Sequence, residues 1–174
     1  IYNLIEGAII VFLVLIIFLG DIRAGVIVAS VIPLAMLFGF ILMRIFGVSA
    51  NLMSLGAIDF GIVVDGSIVI LEGILAHLSM KQFSRRTLSA DEMGIEVENG
   101  AAKVVKSSTF AVMIILIVFF PILTLTGIEG KYFTPMAQTL VFCIIGALLL
   151  SLTYVPMMAS LFLKHKRSSK PTLA

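Results

Sequence analysis

Residues 51–78 read NLMSLGAIDFGIVVDGSIVILEGILAHL. The run is long enough to cross a bilayer, which takes about 20 mostly apolar residues. Lipid offers no partner to backbone N–H and C=O groups, so a span of this kind is a helix. Yet this one carries Asp59, Asp65 and Glu72. A charge at the bilayer centre costs about 2.5–3.5 kcal/mol on insertion scales. The three acids must therefore face protein or a wet cavity, be protonated, or meet cations.

Their spacing narrows the choice. At 100° per residue, Asp65 and Glu72 differ by roughly 20° in azimuth and lie about 10 Å apart along the axis. Asp59 lies about 9 Å the other way and about 120° round. A metal ion needs oxygen ligands within about 2–2.6 Å of itself, so carboxylates two turns apart do not chelate one ion. A carboxyl group in a low-dielectric site can hold and release a proton near neutral pH, and the arrangement suits a proton path. Asp65 sits near mid-span, Asp59 toward the outer side and Glu72 toward the inner side. Gly56, Gly61, Gly66 and Gly73 leave room for close helix approach or water. The Asp59–Gly61 triplet DFG lacks the Gly-rich and HRD companions of a kinase. An aspartyl protease needs two acids sharing one proton, and Asp59 and Asp65 lie on the wrong faces for that.

The rest of the 174 residues agrees with a membrane setting. The chain is 60% hydrophobic and only 13% charged, against about 45–50% and 25% for soluble domains. Apolar runs at 4–19, 26–46, 52–78, 108–126 and 136–163 predict five transmembrane helices. The joints GDIRAG, GVSAN and GIEGKYFTP read as turns. The net charge of +2 and the lack of an aromatic-interleaved basic patch argue against a nucleic-acid partner. The single cysteine, Cys143, excludes an internal disulfide and reads as packing. No cofactor and no enzymatic activity are expected. The opening IYNLIEGAII has neither an initiator Met nor a basic region before its apolar run, so a signal peptide is a poor reading and an excerpt of a longer chain is expected.

Of the 12 Lys and Arg, ten fall on one side of the predicted spans: Arg23, Lys81, Arg85, Arg86, Lys103, Lys106, Lys164, Lys166, Arg167 and Lys170. Only Arg44 and Lys131 fall on the other. The positive-inside rule makes the first side cytoplasmic, with the N-terminus outside and the C-terminus inside. In the polar stretch 79–107, SADE fits a capping box with Ser89 as N-cap and Glu92 reaching back. Met93, Val97, Ala101 and Val104 follow at helical spacing, predicting a short helix along the inner membrane surface. The basic tail 167–174 is expected to be disordered. Pro33, Pro121 and Pro156 lie inside apolar runs and can kink their helices. His77 reads as an interfacial bystander, with a ligand or relay role as the sharper alternative. No Lys or Arg is expected at the depth of Asp65, so a cationic partner is expected from outside this chain.

The stretch NLMSLGAIDFGIVVDGSIVILEG resembles the fourth transmembrane helix of the heavy-metal efflux branch of the RND (resistance–nodulation–cell division) transporters. FFPILTLTGIEGKYFTPMAQTL (residues 119–140) resembles the fifth helix, outer loop and sixth helix, and LIEGAIIVFLVLIIFLGDIRAGVIVASVIPLAMLF the second and third. The resemblance runs to about Lys166. It implies an all-α membrane fold, with this chain as helices two to six of a twelve-helix inner-membrane pump. It also implies a homotrimer, a periplasmic adaptor, an outer-membrane channel and a proton-coupled antiport of heavy-metal cations. By motif, Asp59, Asp65 and Glu72 would form the proton relay, with partners from the second half of the pump. Where the family often has Glu-Asn, Glu72 is followed by Gly73. The copper–silver branch tends to lack the first Asp and to carry Met before the central one. Asp59 and the Val63–Val64 pair thus favour zinc, cobalt, cadmium or nickel. Met53 is a candidate for a soft-metal path, since a thioether suits Cu(I), although Met also fills apolar helices. Two other functions compete: an RND pump for drugs or other organic molecules, and a non-transporting membrane scaffold.

Overall fold

The computed structural model describes residues 2–48, 60–82 and 90–163. Five helices follow in order: α1 (Tyr2–Leu19), α2 (Ile22–Phe46), α3 (Phe60–Gln82), α4 (Ala90–Leu123) and α5 (Gly127–Phe162). No strand occurs among the described residues. Among the described residues, four helices are long and apolar enough to cross a bilayer, within Ile22–Phe46, Gly61–Met80, Glu92–Leu123 and Gly127–Phe162. The 18 residues of α1 fall at the short end of the roughly 17–25 that a span requires. The fold is an all-helical membrane bundle, as the apolar runs imply.

The α1–α2 turn is set by its own chemistry. Gly20 takes a left-handed φ of +63°, which costs a residue without Cβ nothing. Asp21 caps α2, its Oδ1 accepting from the Arg23 N–H at 2.9 Å. At the far end Gly47 ends α2 with φ +66°, its N–H donating to the Met43 carbonyl. This is the left-handed glycine stop common at helix C-termini.

Two antiparallel helix pairs build the core. In the first, α2 lies on α5. Arg23 Nη1 donates to the Phe162 carbonyl at 3.3 Å, and Ser30 Oγ meets Tyr154 Oη at 2.9 Å. Farther along, Gly39 backs onto Cys143 and Gly146 onto Phe38, so closely that a Cβ at either glycine would overlap its neighbour. Phe46 and Phe142 stack with centroids 5.4 Å apart. Cys143 is fully buried and free, in the packing role expected of it. Lipid tails are as apolar as the side chains, so such helices associate through close packing of small residues rather than hydrophobic expulsion.

In the second pair, α3 lies on α4. A Cβ on Gly73 would sit 2.6 Å from Val104 Cγ2, and one on Gly100 only 2.9 Å from the Ile74 Cα. Val63, Val64, Ile70, Leu71 and Ile74 of α3 are buried in the common core. The outer faces of α1 and α4 remain exposed and apolar: Ile9, Leu13 and Ile17 on one, Ile114, Ile117 and Phe120 on the other.

Two expectations about boundaries change. The helix at 90–107 forms, but it runs without a break into the following span as the 34 residues of α4. Its buried positions Met93, Val97, Ala101, Ser108 and Val112 stay in one helical phase, so nothing separates a surface helix from a span. The turn read into GIEGKYFTP is shorter and earlier. Thr124 Oγ1 and the Thr124 N–H both donate to the Pro121 carbonyl, and α5 begins at Gly127 with Pro135 already inside it. Asp59, Met53, Ser89 and the tail at 167–174 lie outside the described residues.

Candidate functional site

The two faces of α3 differ in kind. Val63, Val64, Gly66, Ser67, Ile70, Leu71, Ile74 and His77 are buried. Asp65, Val69, Glu72, Ala76 and Met80 are exposed. The second set recurs at intervals of three and four residues and forms one stripe. Asp65 and Glu72 therefore share a surface that points out of the five-helix bundle, on a helix whose length and composition suit the membrane.

Small and hydroxyl-bearing groups lie behind that stripe. At Gly66, next to Asp65, an added Cβ would find Ser108 Oγ of α4 and Ser151 Oγ of α5 each 3.6 Å away. Ser108 Oγ donates to the Gly66 carbonyl at 3.3 Å, and Ser151 Oγ to the Leu148 carbonyl at 2.8 Å. The Ser67 hydroxyl is fully buried and finds no hydrogen-bond partner. An orphaned buried hydroxyl costs about 1–3 kcal/mol.

His77 departs from the bystander expected of it. Only 9% exposed, it faces α4. Its Nε2 lies 2.9 Å from Glu96 Oε2 and its Nδ1 lies 3.0 Å from Lys103 Nζ. The sequence alone does not single out Glu96, Ser67, Ser108 or Ser151, and it gives Lys103 only as one of the basic residues on one side of the spans. They become visible only through the antiparallel register, which sets residue 66 against 108, 73 against 104, and 77 against 96 to 103. The one sequence-level sign is a stripe on α4 at four-residue spacing: Glu96, Gly100, Val104, Ser108 and Val112. No group of three or more metal-binding side chains occurs among the described residues.

An all-helical bundle with acids on one exposed membrane face narrows the kinship, and comparison of the whole chain decides it. A family model described as the AcrB/AcrD/AcrF family matches residues 1–173. The chain belongs to that family of RND transporters. It is 47% identical over 169 residues to the cobalt-zinc-cadmium resistance protein CzcA of Cupriavidus metallidurans, covering 97% of this chain and 16% of that protein. It is 44% identical over 165 residues to the nickel and cobalt resistance protein CnrA of the same organism, covering 94% and 15%. The cation efflux system protein CusA of Escherichia coli K12 is 32% identical, over 97% of this chain and 17% of that one. Among solved structures, a heavy-metal efflux pump superposes with a TM-score of 0.77 at 40% identity, over 92% of this chain and 15% of the pump. The chain thus spans about a sixth of the length of the relatives it matches, and it corresponds to membrane helices of heavy-metal efflux pumps.

Proposed function

We propose that this chain works within a proton-driven heavy-metal efflux pump, a secondary active antiporter, and that α3 carries the first-half proton relay. Asp65 is the central relay group, with Glu72 toward the inner side and Asp59 toward the outer. The observation that carries this reading is the stripe shared by Asp65 and Glu72. Acidic side chains within an apolar membrane helix are costly and mark proton and ion pathways, and these two lie on one exposed face of α3. Protonation of Asp65 would cancel its attraction for a partner cation. The bundle would then shift, and that shift would drive movement of the metal elsewhere in the pump.

The remaining features follow from the same reading. The end of the bundle with Arg23, Lys103 and Lys106 lies at the cytoplasmic side of a bacterial inner membrane, with the first residue of the chain periplasmic. The pump acts as a homotrimer with a periplasmic adaptor and an outer-membrane channel. A divalent cation is the favoured substrate. The relatives at 43–47% identity include proteins named for resistance to cobalt, zinc, cadmium and nickel.

The test is the full-length pump in liposomes with an internal pH dye, under an imposed proton gradient. Zn²⁺, Co²⁺, Cd²⁺ and Cu⁺ are added in turn, beside an Asp65→Asn control. Proton flux stimulated by divalent ions and lost in the control is the expected result. Stimulation by Cu⁺ alone would overturn the choice of metal. Flux without metal dependence would point to an organic substrate, and flux indifferent to Asp65 would remove the relay.

A further inference from the structure

The helix that carries Asp65 and Glu72 is gripped from behind at its inner end. His77 lies between a carboxylate and an ammonium group of α4, Glu96 at 2.9 Å and Lys103 at 3.0 Å. A lysine ammonium has only donors. Nδ1 must therefore accept from Lys103, which leaves the ring proton on Nε2, where it is donated to Glu96. One neutral tautomer satisfies both neighbours, and both bonds are of the stronger, charge-assisted kind. Among the described residues, these two side chains are the charged groups at the ring nitrogens. The imidazole and the Glu96 side chain are 11% and 12% exposed, so water competes little for either.

The two helices pack closely beside the bridge. A Cβ on Gly100 would lie 3.1 Å from the His77 Cβ and 2.9 Å from the Ile74 Cα, so the two backbones touch beside the bridge. Gly66, Gly73 and His77 fall within about 40° of one another on α3, whereas Glu72 lies about 140° from His77. The gripped face and the acidic face thus belong to one rigid helix. Turning that helix by about 10° would carry a carboxylate, roughly 6 Å from the axis, through about 1 Å. Misplacement by 1 Å can cost a reaction about 100-fold. Apolar contacts resist such a turn weakly because they have no direction, while hydrogen bonds weaken steeply when bent.

The geometry points to His77 as a positioning residue of the relay: bridging Lys103 and Glu96, it sets the rotation of α3 and with it the placement of Asp65 and Glu72. The inference rests on the relay reading above.

Its test uses the full-length pump in proteoliposomes, with zinc-stimulated proton flux as the readout. His77→Leu removes both bonds and lowers maximal flux about tenfold or more, inside the range misplacement allows, with the KM for zinc unchanged. In His77→Gln the amide oxygen can accept from Lys103 and the amide N–H can donate to Glu96, so most of the flux returns although the side chain cannot carry a proton. Lys103→Met, at an exposed position, lowers maximal flux in the same direction and decides the matter if His77→Leu does not assemble. Normal flux in Lys103→Met or in a folded His77→Leu overturns the proposal. So does a folded His77→Gln as inactive as His77→Leu, because the imidazole would then be needed for its proton. The Asp65→Asn control separates the two readings. Flux retained there removes the relay itself, while flux lost there but normal in His77→Leu removes only the role of His77.

Discussion

The contact between α3 and α4 makes opposite forecasts for one substitution at two sites on the same helix. Gly94 and Gly100 are both inside α4. Replacing either by Ala gains about 0.4–1 kcal/mol from reduced freedom of the unfolded chain and better helix propensity. At Gly94 the new methyl group meets nothing within 4 Å, so the gain stands. At Gly100 it lies 2.9 Å from the Ile74 Cα, 3.1 Å from the His77 Cβ and 3.4 Å from the Gly73 carbonyl oxygen. Those are backbone atoms or atoms bonded to it, and no side-chain rotation clears them, so α3 and α4 must part by about half an ångström or more to restore ordinary contact. Overpacking of this kind costs about 1–3 kcal/mol. The propensity gain is common to both variants, so the difference between them isolates the packing. Hydrogen exchange of peptides from 60–82 and 90–112 in the purified full-length protein reads local opening directly. A difference of 1–3 kcal/mol corresponds to exchange about 5- to 150-fold faster in Gly100→Ala than in Gly94→Ala. Equal protection in the two variants would refute the close crossing and the helix register drawn from it.

Three further outcomes test the other contacts. Gly39→Ala places a methyl group 2.5 Å from Cys143 Sγ and should loosen α2 from α5; adding Cys143→Ala should recover most of the loss, a coupling of about 0.5–3 kcal/mol read by the same exchange measurement. Ser30 spends its proton on the Ile27 carbonyl at 2.6 Å, so Tyr154 must donate to Ser30 Oγ; Tyr154→Phe should cost about 0.5–1.5 kcal/mol, seen as faster exchange at the C-terminal end of α5. Ser67→Ala removes a buried hydroxyl that lacks a partner and should leave the thermal unfolding midpoint unchanged or raised; a fall would show that the hydroxyl is satisfied.

Much of the bundle could be read from apolar runs, because a membrane span announces itself by length and composition. The shared face of Asp65 and Glu72 followed from helical period alone. The continuity of α4 was hidden by its polar residues, Glu92, Glu96, Glu98, Lys103 and Lys106. These make the segment resemble a connector, although the buried positions beneath them keep phase into the span. The turn before α5 was misplaced because Gly127, Gly130 and Pro135 suggest a loop. In the structure Gly127, with φ +79°, starts the helix, and Glu129 stands in its first turn, where a negative charge favours the dipole. His77 was legible only as a lone histidine near a helix end. Its meaning depends on Glu96 and Lys103, which are 19 and 26 residues away. Only the register of two packed helices brings them together.

Exposure has two meanings in this bundle, and the distinction bears on where the rest of a pump would sit. The outward faces of α1 and α4 present Ile10, Leu13, Val14 and Ile17, and Ile114, Ile117, Val118 and Phe120. Lipid tails can cover those side chains at no electrostatic cost. The outward stripe of α3 presents Asp65 and Glu72 between Val69, Ala76 and Met80. A single acid left charged against lipid at mid-bilayer would cost about 2.5–3.5 kcal/mol on insertion scales, a large share of the stability of a typical domain. The buried face of α3 meets α4 through Gly73 and Gly100, with a hydrogen bond from Ser108 and the bridge through His77, so the helix cannot readily roll its acids inward. That orientation keeps Asp65 and Glu72 together on the outward stripe and away from the apolar core. A neutral, lipid-facing role for α3 would have needed only apolar residues along the stripe, as on α4.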